Sequence, residues 1–139
     1  MSVEQTQFEQ TTLGRGMLNI TKQVNALIYD SLLTKGICHL FIQHTSASLI
    51  ICENADPDVR VDLEAFMESI APDGSPMFCH DTEGPDDMPA HIRTVITNVS
   101  LSIPFSESQL LLGTWQGICL WEHRIHPHTR KVIVTLHGE

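Results

Sequence analysis

The stretch FCHDTEGPDDMPAHI, residues 78 to 92, sets two histidines, His80 and His91, around Asp81, Glu83, Asp86 and Asp87, with Met88 almost the only apolar residue between them. Imidazole and carboxylate in this combination can hold a divalent ion or move a proton. A third histidine, His44, ends the alternating run GICHLFIQHT. Three neutral imidazole nitrogens with a water in the fourth place form the open arrangement of a catalytic zinc centre, suited to activating water or polarising a carbonyl or phosphoryl oxygen. His44, His80 and His91 are therefore the candidate metal ligands, with zinc the expected ion. His91 falls in the first turn of a helix that starts near Pro89. There the helix dipole disfavours imidazolium and leaves the neutral ring that a ligand requires. No H-E-x-x-H or similar short signature is present, so the set depends on three separate elements converging. The plainer alternative is a hydrogen-bonded core histidine at His44 and an acidic helix start, with Asp86 and Asp87 satisfying free N–H groups.

Two carboxylates are candidate proton carriers. Glu122 shares a strand face with Ile118 and Leu120 and points inward as an acid or base, unless it simply pairs with Arg124 on the same face. Asp81, beside His80, is the other. EHRIHPH offers Glu122, His123, His126 and His128 around a proline turn, a pattern equally expected of an exposed hairpin tip. DPDVRVDLEAFM begins like a calcium loop. Arg60 at the fifth place, Val61 where glycine is required and Met67 where the bidentate glutamate belongs make it a capped amphipathic helix instead.

The elements that must carry these residues are legible from periodicity. Residues 2 to 11 read as a first or edge strand. Thr21 looks like an N-cap, Val24, Leu27, Ile28 and Leu32 share a helical face, and Gly36 reads as the closing glycine. In GICHLFIQHT, Cys38, Leu40, Ile42 and His44 fall on one side of a strand, and ASLIICE follows as a second buried strand. Asp56-Pro57 opens a helix bearing Val59, Leu63, Phe66 and Ile70, which Ala71-Pro72-Asp73-Gly74 breaks. Ile92, Val95, Ile96 and Val99 form one more helical stripe before SLSIPFS alternates as a strand. QLLLG, QGICLWEHR and RKVIVTLH complete a β-rich second half. About seven strands and three helices, not in βαβ order, predict a single α+β domain over residues 1 to 139 with mostly antiparallel pairing.

Composition narrows the partners. Seventeen acids against eight bases give a formal charge of −9. The basic residues are scattered, with only Arg130-Lys131 adjacent, which argues against nucleic acid. Single arginines such as Arg60, Arg93 and Arg124 remain available to hold an anionic small molecule. Cys38, Cys52, Cys79 and Cys119 form no C-x-x-C pair and read as buried free thiols in a reducing compartment. No apolar run approaches membrane length, so a soluble, cytoplasmic protein with no membrane contact is expected.

HTSASL (44 to 49), ENADPDVRVDLE (53 to 64), HDTEGPDDMPAHI (80 to 92) and GTWQGICLWEHR (113 to 124) together resemble the YjbQ family, also called the secondary thiamine-phosphate synthase family. The match runs from about residue 6 to the C-terminus, and four motifs in order make it specific. The resemblance implies two packed sheets with flanking helices, assembly as a homotrimer, and a pocket near His44, His80 and His91. The EHR ending is closer to the bacterial branch than to the archaeal one. The activity ascribed to the family joins a pyrimidine diphosphate to a thiazole phosphate and releases pyrophosphate. Such a transferase needs a metal or cations on the leaving group, a part open to Arg60, Arg93 and Arg124, and the pyrophosphate chemistry that the resemblance implies makes magnesium the alternative to zinc. Trp115 and Gln116 in GTWQG are candidates to line the pocket, or Trp115 to pack a subunit interface. The alternatives are a metal-dependent hydrolase or lyase acting on a small polar molecule, with Glu122 or Asp81 carrying the proton, and a non-catalytic trimeric binding protein.

Overall fold

The computed structural model describes residues 1–139. Eight strands and three helices follow in the order β1 (Ser2–Thr11), β2 (Gly16–Asn19), α1 (Thr21–Asp30), β3 (Lys35–Ile42), β4 (Ala47–Glu53), α2 (Pro57–Ile70), α3 (Asp87–Ile96), β5 (Ser100–Ser106), β6 (Gln109–Leu110), β7 (Gln116–Glu122) and β8 (Thr129–Gly138). Every strand pairing is antiparallel. One sheet runs β1-β8-β3-β5-β6 and the other β2-β7-β4. The expected α+β sandwich is the architecture found, with QLLLG contributing only the two-residue β6.

Alternation explains how the sheets meet. In β3, Cys38, Leu40 and Ile42 are buried while His39 and Phe41 are exposed; in β8, Val132, Val134 and Leu136 are the buried set. These residues join Leu49 of β4, Ile118 and Leu120 of β7, Ile103 and Phe105 of β5, and Val24 and Ile28 of α1 in one apolar cluster of 17 residues. Each such side chain contributes about 1.5–3 kcal/mol on removal from water. β7 is the centre of the smaller sheet and is buried on both faces from Gly117 to Glu122. Its other face, with Cys119, Trp121 and His123, is covered by α2 and α3. There Glu64 of α2 accepts from Trp121 Nε1 at 2.9 Å and pairs with Arg93 of α3.

Three local readings are corrected. Gly36 does not close α1, which ends at Asp30 with Ser31 Oγ donating to the Ile28 carbonyl at 2.7 Å. Gly36 lies instead in β3 opposite Gly138, where a Cβ would stand 2.1 Å from the His137 carbonyl oxygen. The second correction concerns α3. Its buried residues are Asp87, Pro89, Ala90, Arg93 and Thr94, whereas Val95 and Ile96 of the expected core stripe are 82% and 51% exposed. Phe66 and Ile70 of α2 are likewise exposed, and Met67 is buried. Third, Cys38, Cys52 and Cys119 are buried free thiols as expected, but Cys79 is exposed.

Candidate metal centre

α3 places Asp87 and His91 four residues apart, so both side chains leave the same face of the helix. The loop before it folds back through Gly84, at φ 100°, and brings His80 alongside. The three form a cluster whose ligand atoms all lie within 4.8 Å of one another. His80 Nε2 stands 2.6 Å and His91 Nε2 3.2 Å from the same atom, Asp87 Oδ2. The rings of His80 and His91 are 5.4 Å apart, centre to centre.

Neighbouring groups fix the cluster. His91 Nδ1 lies 3.0 Å from the Thr45 carbonyl oxygen. A carbonyl only accepts, so Nδ1 carries the hydrogen and Nε2 of the neutral ring is a bare lone pair aimed at Asp87. Arg124 holds the carboxylates from the other side. Its Nη1 donates to Asp87 Oδ1 at 2.8 Å, its Nε to Asp86 Oδ2 at 2.9 Å, and its Nη2 to the Glu83 carbonyl at 2.8 Å. The Asp86 carboxylate also accepts from the Ile125 N–H at 2.9 Å. Burial alone would raise both aspartates, yet both lie below the usual carboxylate range. For Asp86 the Arg124 and Ile125 bonds outweigh burial; for Asp87 the His80 bond does, with the positive Arg124 adding to it.

Several expectations change here. Asp87, read as a helix-start carboxylate, is the third member of the cluster, and the D-x-x-x-H spacing on one helical face is the signal that finds it. Asp86 occupies the N-cap position but makes no capping hydrogen bond. His91 is the fifth residue of α3, not part of its first turn. His44 is brought to the same region without joining the ligand atoms. Its Nδ1 accepts from the Ser46 N–H at 3.2 Å, and the Ser46 hydroxyl lies 3.0 Å away. A ring whose Nδ1 accepts carries its hydrogen on Nε2, the wrong tautomer for a ligand through that nitrogen. His44 and His91 instead line one groove of about 810 Å³ between the end of β3 and α3.

The expected anion-binding set is not assembled. Arg93 is fully buried and paired with Glu64, and Arg124 is committed to Asp86, Asp87 and Glu83. Arg60 on α2 approaches Cys119 Sγ at 3.8 Å, on the face of β7 that the helices cover. Trp115 and Gln116 stand at the start of β7, whereas the site is at its Glu122 end, about 20 Å along a seven-residue strand. Trp115 is exposed, and Gln116 Oε1 accepts from the Gly113 N–H at 2.8 Å. Asp81 is exposed beside His80 on a second, smaller depression. Glu122 is fully buried and faces Arg130, with the Arg124 backbone N–H, not its guanidinium, bonding Oε2 at 3.1 Å.

The family profile described as "UPF0047 protein YjbQ-like" matches residues 4–139. A UPF0047 protein of Synechocystis sp. is 49% identical over 128 residues, covering 92% of this chain and 87% of its own. The UPF0047 protein YjbQ of Salmonella typhimurium is 52% identical over 104 residues, 75% of each chain. The crystal structure of a conserved hypothetical protein from Thermus thermophilus superposes with a TM-score of 0.85 at 33% identity, over 95% of this chain and 99% of that one. The chain belongs to the YjbQ (UPF0047) family.

Proposed function

We propose that the chain is a metal-dependent enzyme whose divalent ion, zinc by preference, is held by His80, Asp87 and His91. One observation carries this reading. A single carboxylate oxygen faces two imidazole Nε2 atoms while the hydrogen of His91 is committed to Thr45, an arrangement that a shared cation relieves. Zinc ligands at about 2.0–2.2 Å from the ion stand about 3.4 Å apart; the 3.2 Å from His91 to Asp87 matches this, and His80, at 2.6 Å, would move back by less than about 1 Å to admit the ion. The ion would supply Lewis acidity and an activated water. Two histidines and one carboxylate leave coordination positions open, which favours an enzyme over a closed structural site.

Among reactions, hydrolysis or lysis of a small polar molecule is the better fit. A thiamine-phosphate synthase would need cations beyond the single ion on the leaving pyrophosphate, and Arg93 is tied to Glu64, Arg124 to Asp86 and Asp87, while Arg60 lies against Cys119 on the covered face of β7. Asp81, exposed next to His80, remains the carboxylate free to carry a proton. Glu122 is tied to Arg130.

The exposed Phe66, Ile70 and Ile96 support association of three copies, with Trp115 free to join a subunit contact. The buried free thiols support a reducing, cytoplasmic setting. No helix is long and apolar enough to cross a membrane.

Elemental analysis of protein purified without a histidine tag is the test. About one zinc per chain is expected, lost in Asp87→Ala and His91→Ala and retained in Asp81→Asn. Metal-free wild type that also fails to take up zinc on titration rejects the reading. Turnover of the two thiamine precursors would restore the transferase. Sedimentation at micromolar concentration showing only a 15.6 kDa species rejects the trimer.

A further inference from the structure

We infer that His44 is a hydrogen-bond donor to the substrate, presenting Nε2–H into the groove beside the metal centre, and that the groove takes a small uncharged carbonyl compound with an apolar body. The inference rests on the proposed metal site and adds the substrate class and the group that meets the substrate oxygen.

The argument starts from hydrogen-bond direction. Arg130 Nη2 can only donate, and it donates to Ser46 Oγ at 3.0 Å. The Ser46 hydroxyl hydrogen is then free to turn to His44 Nδ1, and the Ser46 backbone N–H points at the same atom. Two donors on Nδ1 leave the hydrogen on Nε2, and Nε2 has no protein partner. The tautomer is fixed from deep inside the sandwich. Ser46 and Arg130 are buried, and Arg130 is itself held by Glu122, which accepts from its Nε at 2.9 Å and from its Nη2. Thr12 Oγ1 donates to the same carboxylate at 2.8 Å. Burial and then Arg130 lower the His44 pKa, with Glu122 opposing, so the ring stays neutral near pH 7. Glu122, Arg130 and Ser46 thus act as positioning residues, and His44 is the group that would touch substrate.

The groove supplies the substrate class. Phe41, Ile42, Val95 and Val99 give it an apolar wall, while Thr94, Thr97 and the two histidines give it its polar edge. No lysine, arginine or carboxylate lines it. A phosphate or diphosphate would find the proposed ion at one edge and no cationic side chain along the rest of the groove, whereas an ester, amide or lactone with an apolar substituent meets matching surface. When a water oxygen attacks its carbonyl carbon, a C–O bond forms, the water's proton passes to a carboxylate (Asp81 in the proposed reading), and the C=O π pair moves onto the carbonyl oxygen. The acyl C–O or C–N bond then breaks, its leaving group takes that proton, and the pair returns from the carbonyl oxygen. A fixed neutral N–H beside that oxygen stabilises the growing charge without giving up its proton.

Three measurements on the full-length zinc-loaded protein test this. In ¹⁵N-histidine spectra, His44 should show a protonated Nε2 and an unprotonated Nδ1; a protonated Nδ1, or a metal-shifted Nε2, overturns the inference. Zinc affinity measured by chelator competition should stay within about 2-fold in His44→Ala and fall about 100-fold or more in His91→Ala. Loss of zinc in His44→Ala would return His44 to the ligand set. Benzohydroxamate, an apolar ring carrying a carbonyl and a metal-binding oxygen, should bind His44→Ala about 10-fold more weakly than wild type, the scale of one hydrogen bond to a charged oxygen. His44→Gln, which keeps an N–H near the Nε2 position, should recover most of that loss. Equal binding by wild type and His44→Ala overturns the donor role. Wild type that takes up no zinc at all marks the failure of the metal reading instead, and the tautomer still reports on His44 by itself.

Discussion

Replacing Glu122 by glutamine tests whether this carboxylate carries a proton or holds the fold. All four of its partners are donors: the Thr12 hydroxyl and Arg130 Nε on Oε1, and Arg130 Nη2 and the Arg124 N–H on Oε2. An amide has one accepting oxygen and one NH2. In either orientation the NH2 therefore faces an Arg130 donor, at a position with no access to water. The substitution also leaves the Arg130 charge buried without its partner. Breaking a buried pair from one side costs about 3–5 kcal/mol. With about 2.1 cal/mol/K per residue for the unfolding entropy, a chain of this length loses roughly 3–4 °C of Tm per kcal/mol, so Glu122→Gln should melt about 10–17 °C below wild type. Circular dichroism melts and urea titrations at about pH 7 read this directly. A variant melting within about 3 °C of wild type refutes the reasoning and returns Glu122 to the proton carriers. Zinc content should be unaffected, since no Glu122 oxygen belongs to the His80, Asp87, His91 cluster.

His123, fully buried against Trp121 and near Arg93, Arg15 and Arg130, is pushed down to about 3, first by burial and then by those charges. The fold therefore favours the neutral ring. Its contribution is complete above the unfolded value of 6.5 and is lost as the pH falls from there toward about 3, at up to about 1.4 kcal/mol per pH unit. Urea midpoints should decline from about pH 6.5 to about 4 in wild type and stay flatter in His123→Gln; a flat wild-type profile contradicts this. Arg124→Lys keeps a charge but not the fork that serves Asp86, Asp87 and Glu83, so zinc affinity should fall about 10-fold with all three ligands intact. Calorimetric titration giving an unchanged Kd would remove Arg124 from the site. Gly36→Ala should destabilise the chain by about 3 kcal/mol, because the new Cβ meets the backbone oxygen of His137, not a movable side chain. A melt within about 2 °C of wild type would show that β3 and β8 can part there.

Where local chemistry and tertiary demand agree, the sequence is a sufficient guide. Asp56 caps α2 through the Asp58 N–H at 2.9 Å with Pro57 at its first position, as its composition predicts. The alternation of β3, β5 and β8 points each strand's apolar set at the common core. Gly36 shows the limit. A glycine after a helical stretch and a glycine forced by a close strand crossing look alike in one chain, and only the partner, Gly138, separates them. Glu122 shows another. Its inward direction is legible from the strand period, but the cation that meets it comes from β8 and not from Arg124 on the same strand face.

α3 explains why the site was only half legible. Its apolar stripe predicts a buried face of Ile92, Val95 and Ile96, yet the buried face carries Asp87, Arg93 and Thr94. Periodicity identifies two faces of a helix without saying which one meets its own sheet. The choice is made by long-range pairs, Arg93 with Glu64 and Asp87 with Arg124, 29 and 37 positions apart in the chain. Those pairs turn Asp87 inward to the Arg124 side while His91, one turn on, reaches the Thr45 carbonyl at the edge of the groove. Had the apolar stripe faced the sheet, Asp87 and His91 would point to solvent and His80 would have no carboxylate to meet. The rotation that leaves Val95 and Ile96 exposed is thus the same rotation that assembles the cluster. The exposed apolar surface and the His80, Asp87, His91 cluster are two consequences of one helix orientation.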